Sequence, residues 1–174
     1  MKTKIAILVL FLSLIVTASY AQEKSKKQLR AERKIEKEKQ IASLIDSKEF
    51  VFIGRTAIGQ GFRSIDLTTN SNYVEFKPDK IKSEMPFFGR AYSSVAYSSK
   101  DGGLNFEGIP KEFTIEKGKK DYQIITAVKG DTDVYTLFLS VSFEGSSTLT
   151  ISSNNRSSIS YNGEIKAIEK KENK

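Results

Sequence analysis

Ten consecutive residues, Val134 to Phe143 (VYTLFLSVSF), alternate between two kinds of side chain. Tyr135, Leu137, Leu139, Val141 and Phe143 fall on one side of an extended chain. Val134, Thr136, Phe138, Ser140 and Ser142 fall on the other, because successive strand side chains point to opposite faces. A period of two held this long, in β-branched and aromatic residues, requires a β-strand with its first face on a core. A strand so apolar would recruit other chains if it lay at a sheet edge, so it belongs inside the sheet, paired on both sides.

The same period recurs from Phe50 onward. It predicts strands at 50–53 (buried on both sides), 65–68, 73–77, 80–85, 104–107, 113–115, 122–128, 147–152 and 156–165, the last kinked at Asn162-Gly163. Turn residues separate them: Asn70-Ser71-Asn72, Pro78-Asp79, Asp101-Gly102-Gly103, Lys117-Gly118-Lys119, Gly130-Asp131 and Gly145-Ser146. Asn154-Asn155 suits a turn with positive φ. Gly54 to Gly61 reads as a hairpin turn or bulge; it lacks the GK[ST] ending of a phosphate loop. Sequential strands with short links and no helix between them pair as antiparallel hairpins. The expected fold is therefore all-β with an N-terminal helix, an antiparallel meander closing as a barrel-like (lipocalin-like) domain or as a two-sheet sandwich. The run of sequential hairpins favours the barrel.

The N-terminus follows different rules. Residues 1–21 have the layout of a secretory signal peptide: Lys2 and Lys4, an apolar run from Ile5 to Val16, and the small residues Ser19 and Ala21 at the −3 and −1 sites of a cleavage point before Gln22. Segment 22–40 is a charged helical tether or disordered segment, with opposite charges at helical spacing, such as Glu23 with Lys27. Ile41, Leu44 and Ile45 then restart an apolar face, predicting a short amphipathic helix over about 36–48 that docks on the β domain. A single β domain over 41–168 and a flexible tail over 169–174 complete the organisation.

The net charge of +7 sits in the flanks. Segment 22–40 holds 8 basic against 4 acidic residues, the tail from Lys166 holds 4 against 2, and the body 41–165 holds 14 against 15. A nucleic-acid binder is expected to carry its basic face on the folded body, so no nucleic-acid partner is expected. The basic flanks suit peripheral contact with an anionic surface. With no cysteine, the exported domain holds together by burial and strand pairing alone, and no lipobox acylation is open to it. After signal cleavage no membrane-spanning segment is expected.

The stretch Met85 to Gly108 gathers aromatics, glycines and an arginine between strands. Pro86 ends the preceding strand, Phe87 and Phe88 follow, and Arg90-Ala91-Tyr92 resumes an extended course. Its functional reading is a binding mouth with Phe87, Phe88, Tyr92 and Tyr97 as apolar wall and Arg90 as anion anchor, joined by Asp101, Arg156 and Tyr161. Its plainer reading is a core strand, a structural arginine and a tight turn.

The runs PFFGRAY (86–92), DGGLNFEG (101–108) and LTISSNNRSSISYNGEI (149–165) carry a resemblance to the family called domain of unknown function 4251. The resemblance extends over about Ile41 to Ile168. It implies a predominantly β domain in the cell envelope of Bacteroidetes, secreted or lipid-anchored. It implies no activity and transfers no functional residues. Many relatives carry a lipobox cysteine, which this chain lacks.

The residue types exclude much chemistry. Without His or Cys there is no Ser-His-Asp or Cys-His nucleophile and no imidazole- or thiolate-bound metal. No serine has a lysine three residues on, as a Ser/Lys mechanism needs. Asp131-Thr132-Asp133 lacks the glycine and glutamate of a calcium loop. No metal or cofactor is expected. The function expected is that of a non-catalytic exported envelope protein binding a small apolar or amphipathic molecule. The alternative is a structural or protein-interaction module of the envelope, with an envelope protein as partner. A hydrolase using paired carboxylates among Glu75, Glu84, Asp101 and Glu107 ranks third.

Overall fold

The structure is a computed structural model that describes residues 26–59, 64–69, 72–92, 102–131 and 133–169. The chain divides into two units, Met1–Glu36 and Lys37–Lys174. The described part of the first is the start of helix α1 (Lys26–Ser47), and its residues 26–36 are all exposed. The second carries the rest of α1 and ten strands: β1 (Phe50–Gly59), β2 (Ile65–Asp66), β3 (Tyr73–Phe76), β4 (Ile81–Met85), β5 (Leu104–Gly108), β6 (Pro110–Lys117), β7 (Asp121–Lys129), β8 (Val134–Ser142), β9 (Ser146–Ser153) and β10 (Ile159–Lys166).

Helix α1 is continuous over Lys26–Ser47, where the sequence reading left 22–40 as a helical tether or a disordered segment and placed a separate short helix at about 36–48. Its Lys, Glu, Gln, Arg, Leu, Ala and Ile residues are good or adequate helix formers, and no Gly or Pro interrupts them. Lys48 closes it in the left-handed region (φ 56), donating its N–H to the Ile45 carbonyl at 3.1 Å. Ile41 and Ile45 are its buried residues. Gly145, in the β8–β9 turn with φ +90, seats the helix: a Cβ there would lie 2.9 Å from Ile41 Cδ1.

The strands form one antiparallel sheet in the order β5-β4-β3-β1-β10-β9-β8-β7-β6, with β2 also pairing β1. Two meanders, β3–β5 and β6–β10, are joined through the β1–β10 ladder. Only Ile109 separates β5 from β6 in the chain, yet these strands are the two ends of the strand order. The sheet curls back on itself between them. Phe106 of β5 stacks on Tyr135 of β8 with centroids 4.1 Å apart, and Phe76 of β3 meets Phe113 of β6 edge-on at 6.3 Å. The result is a nearly closed barrel with one unsealed seam between β5 and β6.

Burial explains the closure. β8 lies between β7 and β9, as its composition requires, and Tyr135, Leu137, Leu139 and Val141 are all buried. Phe50, Phe52, Phe76, Ile81 and Tyr161 fill the interior with no exposed surface. Such burial is the main force holding a domain without disulfides, on the order of 25 cal/mol per Å² of apolar surface.

Three local expectations change. β1 does not stop at Gly54 but runs to Gly59, with a bulge between Gly54 and Thr56 opposite β10. Gly163 permits this, because a Cβ at that position would run into the Ile53 carbonyl. Asn154 and Asn155 turn without positive φ; among the described residues only Lys48 and Glu112 take it outside glycine, and Glu112 lies where the β6–β7 register shifts. Arg90-Ala91-Tyr92 forms a single bridge, Ala91 to Arg156, rather than a strand. The signal peptide expected at 1–21, the segment 93–101 and the end of the tail lie outside the described residues. Among the described residues no helix is long and apolar enough to cross a membrane.

Candidate functional site

Two regions concentrate polar chemistry beside apolar side chains. The first is the set named from sequence. Segment 86–92 leaves β4 and lies against the β9–β10 link. Ser157 N–H donates to the Arg90 carbonyl and Tyr92 N–H to the Asn155 carbonyl, at 2.9 and 2.8 Å. Arg90 N–H donates in turn to Ser157 Oγ at 2.9 Å. Beneath this, Arg156 is 5% exposed; its Nη1 donates to the Gly103 carbonyl at 2.8 Å and its guanidinium sits 5.2 Å from the Phe87 ring centre. Tyr161 is fully buried and donates its hydroxyl to the Pro86 carbonyl at 2.7 Å. Burial pushes its phenol far above the usual range, against a smaller opposing effect from Arg156.

The structure thus brings Phe87, Arg156 and Tyr161 together. Phe88 packs half-buried against the core. The side chains of Arg90 and Tyr92 face outward, Tyr92 with 65% of its surface exposed. Asp101 lies outside the described residues. Chemically, the Arg156 cluster fastens a chain crossing: a cation–π contact, a charge-assisted hydrogen bond from Arg156 and a neutral one from Tyr161 tie residues far apart in sequence.

The second region was not named from sequence. Phe50 and Phe52 point inward, and Val51 and Ile53 point outward, half-buried. The sequence reading buried all four inside the fold. Val51 and Ile53 instead form the floor of an outer groove of about 610 Å³. Its walls come from three strands and the chain after β10. Glu75, Val51 and Lys166 make one cross-strand row; Tyr73, Ile53 and Glu164 make the next. Ile168 adds apolar surface, while Arg55, Thr68 and Glu169 complete the rim. The signal available in the sequence was the aliphatic pair Val51/Ile53 on the face opposite Phe50/Phe52, which a one-sided strand would fill with polar residues.

The rim is ion-paired. Glu164 accepts from Arg55 at 3.1 Å and from Lys166 at 2.9 Å, and these cations, Lys166 foremost, hold its carboxyl below the usual range. Glu75 pairs with Lys77 at 2.5 Å, which raises the lysine. From the groove wall, Tyr73 donates its hydroxyl outward to Glu84 at 2.8 Å, and Lys82 pairs with Glu84 at 2.7 Å. Lys82 and Tyr73 lower the Glu84 carboxyl, and burial raises the Tyr73 phenol.

The outer face of the other half of the barrel has a different chemistry. Ser140 donates to Asp121 at 2.9 Å, Ser142 and Ser146 share a bond of 2.7 Å, and Thr148 donates to Asn162 at 3.0 Å. These hydroxyls line a depression of about 570 Å³. They satisfy one another across neighbouring strands, the usual role of such cross-strand pairs. Among the described residues no group of three acidic side chains is arranged to hold a metal ion.

Comparison with known proteins places this geometry. Residues 32–165 match the model of a family described as domain of unknown function (DUF4251). The fold is similar to the crystal structure of a DUF4251 family protein from Bacteroides eggerthii DSM 20697, with a TM-score of 0.59 and 16% sequence identity, covering 75% of this chain and 87% of that one. At that identity the likeness speaks for the fold alone. No curated protein matches the chain.

Proposed function

Since the chain belongs to the DUF4251 family, whose description assigns no activity, we propose a reading from its own surface: a non-catalytic, exported domain that holds a small amphipathic molecule in the outer groove. The observation that carries it is the floor of Val51 and Ile53 set inside an ion-paired rim on a barrel whose interior is filled by its own side chains. Pockets for small molecules combine mostly apolar walls with a few placed polar groups, and this groove lies in their size range. Export rests on the signal-like residues 1–21. The non-catalytic reading rests on the absence of His and Cys and on rim carboxylates already engaged by cations.

A second reading, an interaction module of the envelope, has its support in residues 26–36, exposed throughout and carrying five basic against two acidic side chains.

The test uses the secreted protein and N-phenyl-1-naphthylamine, a neutral apolar dye that brightens when it leaves water. Wild-type protein is expected to bind it saturably, and Ile53→Glu, which places a charge on the groove floor, to abolish the signal. Saturable brightening that is equal in the variant overturns the groove as the site.

A further inference from the structure

The groove is uneven in charge from its β10 side to its β3 side, and this selects among amphipathic molecules. Arg55 of β1 and Lys166 of β10 both converge on the single carboxylate of Glu164, at 3.1 and 2.9 Å. Two cations therefore share one anion at this end. The side chains are accessible: Arg55 is 64% exposed and Lys166 56%. At the other wall Glu75 is matched by Lys77, so that pair is neutral. Glu169, also on the rim, adds one negative charge beyond β10. Between the two ends lies the aliphatic floor of Val51 and Ile53, in adjacent rows with Lys166 and Glu164.

We infer that the groove takes a single-chain anionic amphiphile, its alkyl chain along Val51 and Ile53 and its carboxylate or phosphate-monoester head between Arg55 and Lys166. This deepens the proposed function and rests on it. The head competes with Glu164 for the two cations. An exposed ion pair is worth little in water, so exchanging one carboxylate for another costs almost nothing there. The chain supplies the affinity and the cations supply the sign preference. Arginine offers a planar fork that matches carboxylate and phosphate, and lysine a point charge, so either head fits.

The experiment displaces N-phenyl-1-naphthylamine from the secreted protein with four probes of one chain length: laurate, dodecyl phosphate, dodecanol and dodecylamine. Laurate or dodecyl phosphate is expected to displace the dye about ten times more effectively than dodecylamine at low salt, the gap narrowing at high salt. A preference for one anion over the other identifies the head group. The double variant Arg55→Gln/Lys166→Gln is expected to lose that preference while still binding dye. Glu164→Gln, by removing the internal competitor, is expected to raise laurate affinity severalfold. Arg55 and Lys166 are exposed and Glu164 is half-buried at the rim, outside the core, so the variants test binding, and an unchanged urea midpoint checks that each folds. Equal displacement by laurate and dodecylamine overturns the inference and leaves the groove standing. Weaker laurate binding in Glu164→Gln also overturns it, because the carboxylate would then be a partner rather than a competitor. Failure of the wild type to bind the dye removes both the inference and the reading beneath it.

Discussion

Arg156 and Tyr161 carry an unusual share of the connectivity. The bond from Tyr161 to the Pro86 carbonyl spans 75 residues of sequence, and that from Arg156 to Gly103 spans 53. A buried acceptor stripped of its donor costs about 1–3 kcal/mol. Tyr161→Phe and Arg156→Met are each expected to lower stability by an amount in that range, measured by urea denaturation. A change within about 0.5 kcal/mol for both, the ordinary surface value, would mean the crossing is held by other contacts. These side chains were legible as special in the sequence but not for what they contact. The sequence reading named Phe87, Arg156 and Tyr161 as candidate lining of one mouth, with no contact among them. Only the tertiary fold, which lays the β9–β10 link under segment 86–92, turns them toward one another.

Among elements, α1 divides most sharply between what packs and what does not. Ile45 is fully buried and Ile35 is 53% exposed, although both are isoleucines in one helix. Ile45→Ala is expected to cost about 2–5 kcal/mol, the range for a core deletion that leaves a cavity. Ile35→Ala is expected to cost less than about 0.5 kcal/mol. Urea midpoints of the two variants check this directly, and similar shifts would contradict the burial assigned to Ile45. The apolar triplet Ile41, Leu44 and Ile45 gave the docking face from sequence alone, since helical spacing is a local property. The continuity of the helix through residues 26–40 was harder to read, because charged residues favour helix and solvated coil almost equally. The strands were legible for the converse reason. In β8 the alternation of side chains matches the alternation of burial, and in β9 it does so through Leu149 and Ile151. β1 escaped because a glycine in a strand signals both a turn and a bulge, and only the close approach of Gly163 to Ile53 decides between them.

For the whole molecule, the titrating groups define a stability plateau. Glu84 and Glu164 are held below their ordinary value of 4.5 by lysine and its neighbours. A depressed carboxylate contributes stability above its unfolded pKa and loses it as pH falls through the folded value. Tyr161 is raised above its ordinary value of 10.0, so its contribution is complete below that pH and is lost as pH rises beyond it. The urea midpoint is therefore expected to be flat between about pH 5 and pH 9 and to fall on both sides. An unchanged midpoint at pH 3 would contradict the acid arm, and one unchanged at pH 11 the alkaline arm. At this scale the antiparallel meander followed from strand count and link length, its closure as a barrel or a sandwich stayed open, and the outer groove did not follow at all. A groove depends on which strands become neighbours, and β1 beside β10 joins residues more than a hundred positions apart. That pairing has a further consequence. The two ends of the β region meet mid-sheet, while mid-chain Ile109 stands 74% exposed at the seam. A break in the backbone there severs no strand pairing, so the halves before and after it remain zipped by the β1–β10 register. The fold is in effect two interlocking pieces that happen to share one chain, the architecture a split protein needs to reassemble from separate fragments.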